Sequence, residues 1–204
     1  MKVLVACEYS GRVREAFRKL GHDAWSCDLL PSDDNSPYHI QGDVLELLDK
    51  GWDMMIAHPP CTHLAVSGAK HFEAKRKDGR QQEAIDFFMQ MVNAPIDRIC
   101  VENPVCVMST AYRRPDNIIQ PYEFGDPFKK TTCLWLKNLP NLEPTNVVEP
   151  NIKTYVSKSG KKTKFSADYG WSSNHKRNQT YQGIADAMAE QWGKEVNMII
   201  ERRK

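Results

Sequence analysis

The chain has 204 residues, 41% hydrophobic and 26% charged, with a net charge of +2. That length and composition give a single domain with a sizeable core and an expected cytoplasmic location. No run nears the roughly 18 apolar residues of a membrane span, MKVLVACEYSGRV is not a signal peptide, and six scattered cysteines without a CxxC pair exclude a disulfide framework and a structural zinc site.

VLVAC (3–7) predicts a buried first strand ending in the polar turn EYSG. RVREAFRKLG carries Val13, Phe17 and Leu20 at helical spacing and stops at Gly21. Residues Ala24 to Cys27 predict a second strand ending at Asp28. IQGDVLELL gives a short strand, a turn at Gly42-Asp43 and one or two helical turns. Met54 to Ala57 predicts a strand running into Pro59-Pro60-Cys61, QQEAIDFFMQMV (81–92) an amphipathic helix, and Ile96 to Val101 a buried strand ending at Glu102. This alternation predicts an α/β fold, a mostly parallel sheet with helices on both faces.

Beyond Tyr122 the pattern changes. TCLWLKNL (132–139) is strand-like and LPNLEPTNVVEP is loop. A basic loop follows at about 153–179, poor in apolar residues and expected to be partly disordered. Its Lys153, Lys158, Lys161, Lys162, Lys164, Lys176 and Arg177 face the single acid Asp168, which reads equally as a phosphate-contacting patch or a solvated loop. A final helix is predicted at about 183–200, with Ile184, Met188 and Trp192 on one face. Neither an internal repeat nor a second domain is visible, so residues 1–204 read as one domain.

In open α/β sheets, ligands bind beyond the carboxyl ends of the strands. That rim collects Glu8, Tyr9, Ser10 and Gly11 after strand one, Asp28 after strand two, Asp43 after strand three, Pro59, Pro60 and Cys61 after strand four, and Glu102 and Asn103 after strand five. Asp28 suits a ribose, or a simple turn acid. There is no GxGxxG and no Walker motif. Pro-Pro-Cys is a stiff, non-helical loop that holds its thiol in a fixed direction, and a carboxyl at the next strand end can meet the same substrate. His58, His63 and His71 lie near Cys61 without zinc spacing; His58 and His63 read as flanking a substrate pocket or as plain loop residues.

These motifs resemble those of the DNA cytosine-5 methyltransferases. DMMIAHPPCTHLAVSGA is similar to the family's Pro-Cys motif with its following Ser and Gly, here Ser67 and Gly68, and ENP to its Glu-Asn-Val motif. ACEYSGRVREAF resembles the cofactor motif with only Gly11 of its glycines. SCDLLP, QGDVLEL, FGDPFKKTTCLWL and TYQGIADAMAEQW resemble further motifs. The resemblance implies a Rossmann-like methyltransferase fold and an S-adenosyl-L-methionine-dependent enzyme. Cys61 would attack C6 of cytosine, and Glu102 and Lys130 would complete the catalytic set. Glu8, Ser10, Gly11, Asp28, Leu29, Asp43, Pro59, Thr180 and Tyr181 would line the cofactor pocket. Pro60, Ser67, Asn103 and Lys129 would meet the substrate, and no metal is implied.

Two departures stand out. Lys130 and Thr132 occupy positions where the family has arginines, and the interval 140–180 is too short for the family's target-recognition domain. The implied partner is therefore DNA read with low specificity, or else a free cytosine nucleotide such as dCMP. A non-catalytic nucleic-acid-binding relative and a different methyl donor are the remaining alternatives.

Overall fold

The computed structural model describes residues 1–157, 160, 162–166 and 179–201. Seven strands form one sheet: β1 (Lys2–Ala6), β2 (Asp23–Asp28), β3 (His39–Gln41), β4 (Met54–Ala57), β5 (Arg98–Pro104), β6 (Asn117–Ile119) and β7 (Thr132–Lys137), in spatial order β3-β2-β1-β4-β5-β7-β6. β1 to β5 run parallel, while β7 is antiparallel to both β5 and β6. A separate antiparallel pair, β8 (Ile152–Val156) and β9 (Lys162–Ser166), follows.

The sheet is buried on both faces because its central strands are apolar at every position rather than at alternate ones. On β1, Val3 and Val5 point to one core and Leu4 and Ala6 to the other. The first core is closed by α1 (Arg12–Lys19) and by α5 (Gln182–Glu201), whose Ile184, Met188 and Trp192 lie at helical spacing against Val13 and Phe17. The second is closed by α3 (Arg80–Val92) through Phe88 and Met91, with Phe88 edge-on to Trp135. Two short helices, α2 (Phe72–Lys77) and α4 (Met108–Ala111), flank it. The amino end of α5 docks tightly: a Cβ at Gly183 would sit 1.8 Å from the Phe124 carbonyl oxygen, so only glycine fits.

Two sequence expectations need correction. β5 does not end at Val101; it continues through Glu102 and Asn103 to Pro104. β7 supplies the reason, pairing antiparallel with β5 from Ile99↔Lys137 to Pro104↔Thr132 and so extending the ladder past the apolar run. Nor is the basic segment wholly loop. β-Branched and aromatic residues (Ile152, Thr154, Tyr155, Val156, Thr163, Phe165) carry β-propensity that the low apolar content masks, and Gly160 turns the hairpin at φ 80°. The expectation of disorder at 167–178 falls outside the described residues.

Candidate active site

The chain order reverses direction between β1 and β4, because β2 and β3 lie to one side of β1 and β4 and β5 to the other. That switch point opens a crevice beyond the carboxyl ends of β1 and β4. Two loops meet there: Cys7 to Gly11 and His58 to Cys61.

The Pro-Cys loop is held by backbone bonds on both sides. The Cys61 carbonyl accepts the Leu64 and Ala65 N–H groups at 3.0 and 2.9 Å, closing a turn that buries Leu64 completely. The Leu64 carbonyl accepts the Val107 N–H at 3.1 Å, and Val66 donates to the Val105 carbonyl at 3.0 Å. The buried Asn103 donates from Nδ2 to the carbonyls of Pro59 at 2.8 Å and Glu102 at 3.1 Å. Lys75 Nζ donates to the Thr62 carbonyl at 2.6 Å, and Gln81 to that of His63 at 3.2 Å. The segment bearing Cys61 and the segment following Glu102 are thus laced together. A loop with its polar backbone satisfied by neighbouring elements holds its shape.

Glu102 is mostly buried and takes His58 Nδ1 onto Oε2 at 3.3 Å. Burial pushes its carboxyl up, but the His58 bond and charge, together with the Lys130 charge, outweigh it and hold Glu102 below the ordinary carboxylate range. Burial pushes the Cys106 thiol up to about 11. Lys130 Nζ lies 5.7 Å from the Tyr181 ring centre and Lys129 Nζ 5.9 Å from that of Tyr122. Thr132, aligned with an arginine of the family, turns its hydroxyl to the Lys130 carbonyl at 3.0 Å.

On the β1 side the side chains do different work. Glu8 is buried and accepts the Val13 and Arg14 N–H groups at 2.8 and 3.3 Å, which are orphan donors of the first turn of α1. Ser10 adds a bond to it at 3.3 Å. Glu8 lines the crevice with Cys7, Tyr9, Ser10, His58 and Thr180, but its carboxylate is taken up capping a helix. Gly11 precedes α1 at φ 71°, where a Cβ would strike the Arg14 guanidinium and Asp34. Fully buried Arg14 ties Asp34 and Ser26 to this corner, fixing the loop after β2. Arg12 reaches the Thr180 carbonyl and Gln179 at 2.9 Å each.

Asp28 ends β2 and accepts the Leu30 N–H on Oδ1 at 2.9 Å, and Leu29 beside it is 74% exposed. Asp43 caps the 3-10 turn Val44–Leu47 through the Leu45 N–H at 3.0 Å. Tyr181 is buried, packing on Phe128. Pro59 is buried, whereas Pro60 and Ser67 are exposed on the Pro-Cys loop and the turn after it.

The sequence reading of His58 as a pocket-flanking or loop residue did not include its bond to Glu102. Its position directly after β4, one residue past the Ala57↔Val101 pair with β5, was the available signal. None of the six cysteines forms a disulfide. Among the described residues no cluster of three or more His, Cys, Asp or Glu could hold a metal ion, and no helix is long and apolar enough to cross a membrane.

No protein-family profile and no curated protein sequence matches the chain. Among solved structures it is similar to an E. coli protein provisionally described as a DNA modification methyltransferase encoded within a prophage. The TM-score is 0.50 and the identity 16%, over 72% of this chain and 51% of that one. The chain therefore spans about half the length of that protein. Together with the mostly parallel seven-stranded sheet, the likeness shows that the chain has a Rossmann-like methyltransferase fold.

Proposed function

We propose that the protein is an S-adenosyl-L-methionine-dependent cytosine C5 methyltransferase acting through a covalent adduct on Cys61. The observation that carries this reading is the lacing of the Cys61 loop to the segment after Glu102 through Asn103 and the backbone bonds of Leu64 and Val66, which supports a thiol and a carboxyl acting at neighbouring strand ends. The resemblance of HPPC and ENP to the family's motifs agrees with that placement, and so does the provisional description of the E. coli structure.

Cys61 Sγ, as thiolate, forms a bond to C6 of the base and pushes electron density onto C5. Glu102, as a carboxylate, accepts an N–H of the ring's amino group, and Lys130 steadies the charge that develops on the ring. S-Adenosyl-L-methionine supplies the methyl group to C5. A water molecule then takes the C5 proton, the C5–H electron pair re-forms the C5–C6 double bond, and the C6–Sγ bond breaks to release the Cys61 thiolate. Asn103 keeps Pro59 and Glu102 in register throughout. Asp28 and Leu29 would hold the ribose and adenine of the donor. Ser10, Gly11, Thr180 and Tyr181 would form the wall at its amino-acid end, and Asp43 would stand beside the adenine. Lys129, Pro60 and Ser67 would meet the substrate.

The substrate is cytosine in DNA. A second reading, the same chemistry on a free cytosine nucleotide, is favoured by one observation. Between Lys137 and Gln182 the described residues carry only loop and the β8-β9 hairpin, not a recognition domain. Labelled S-adenosyl-L-methionine offered with duplex DNA, single-stranded DNA or dCMP separates the two. Label in DNA supports the first reading and label in dCMP alone the second. No label in any of them contradicts both.

A further inference from the structure

His58 stands between the two halves of the crevice. Its backbone N–H bonds the Ala6 carbonyl at 2.9 Å, pinning it to the end of β1, and its side chain is nine-tenths buried. Nδ1 faces Glu102 Oε2 at 3.3 Å. Nε2 is buried and has no hydrogen-bond partner among the described residues. The same ring lines the crevice with Glu8, Ser10 and Thr180. A buried polar atom left unpaired calls for a ligand that completes it.

The chemistry of that ligand follows from the tautomer. In the neutral imidazole whose proton lies on Nδ1, in the bond to Glu102, Nε2 is an acceptor. Beside it, the Glu8 carboxyl accepts the Val13 and Arg14 N–H groups and the Ser10 hydroxyl, so acceptor oxygens line this wall. Such a wall suits a group that only donates, such as an ammonium.

Building on the methyltransferase reading above, we propose that His58 bridges donor and base: Nδ1–H positions Glu102 against the base, and Nε2 accepts an N–H from the α-ammonium of S-adenosyl-L-methionine. One imidazole then joins the donor half of the crevice to the half that polarises the ring. His58 is a donor-binding residue at Nε2 and a positioning residue at Nδ1.

The two nitrogens can be tested separately, because Asn places an amide donor near the Nδ1 position and Gln places its amide oxygen, an acceptor, near Nε2. The full chain and its His58→Phe, His58→Asn and His58→Gln variants are compared in three ways. Thermal melts check folding, calorimetry measures binding of S-adenosyl-L-homocysteine, and labelled methyl transfer gives turnover at saturating donor. His58→Phe is expected to weaken S-adenosyl-L-homocysteine about tenfold and to lower kcat on the order of a hundredfold. Asn should restore most of kcat but not the affinity, and Gln the affinity but not kcat. A ligand-side control needs no turnover. The S-adenosyl-L-homocysteine analogue lacking only the α-amino group should bind the native chain more weakly, yet bind His58→Phe as well as the parent compound does. Wild-type affinity and kcat in a folded His58→Phe, or equal loss of affinity for the deaminated analogue in both proteins, would overturn the His58 assignment alone. Failure of the native chain to bind S-adenosyl-L-homocysteine, or to transfer methyl to any cytosine substrate, would overturn the methyltransferase reading and this proposal with it.

Discussion

Glu8 and Glu102 are the same residue type, on the same rim of the same sheet, and both are largely shielded from water. Their surroundings make them different groups. Glu8 accepts two backbone N–H groups of α1, yet burial dominates and its carboxyl is raised above the ordinary range. Glu102 is set against side chains, His58 and Lys130, and is held below that range. One acid completes a helix and the other meets side chains, with His58 on its Oε2. An acid at a strand end becomes a cap or a reactive group according to what its oxygens meet, and tertiary contacts decide that.

The contrast can be broken most severely on the Glu102 side. Cys61→Ser should lower methyl transfer by roughly 10³-fold or more while leaving the melting temperature within a few degrees, measured with labelled donor and calorimetry. Glu102→Gln should cost on the order of 10²- to 10³-fold in kcat with little change in donor affinity. If Glu8→Gln reduced turnover as deeply as Glu102→Gln without unfolding the chain, the assignment of cap and reactive acid would be reversed. Glu8→Ala should instead act on stability, losing about 2 kcal/mol in a urea titration as the α1 N–H groups lose their acceptor.

The two acids also pull stability in opposite directions with pH. Glu102 sits below its ordinary value of 4.5, so its ionised contacts stabilise the fold above that pH and are lost as pH falls through the lowered value. Glu8 sits above 4.5, so its charge costs stability as pH rises from there through the raised value. Urea midpoints followed across the acid range should therefore fall less steeply on acidification in Glu102→Gln than in the native chain. They should fall more steeply in Glu8→Gln. Equal slopes in both variants would remove the distinction.

A smaller effect belongs to the hairpin. Lys153 and Lys162 are exposed, and removing both charges should reduce the slope of log affinity against log salt by about 0.9 per cation if DNA is bound there. An unchanged slope would take the hairpin out of phosphate contact.

The strands and helices that build the sheet were legible because their apolar runs and helical spacings are strong; Met54–Ala57 matched to the residue. β5 was read short because its last three residues are polar or proline, and β7, remote in sequence, supplies their ladder. The hairpin was hidden under lysines. The roles of Glu8 and His58 depend on bonds across loops, Glu8 to the start of α1 and His58 to β5, that no local pattern encodes.

The most direct test is mass spectrometry of the native chain incubated with S-adenosyl-L-methionine and DNA carrying 5-fluorocytosine, where fluorine at C5 blocks the final proton loss. The expected result is a stable protein–DNA adduct whose only modified peptide carries the base on Cys61, absent in Cys61→Ser. Methyl transfer to cytosine without such an adduct, or an adduct on another residue, would contradict the covalent role of Cys61.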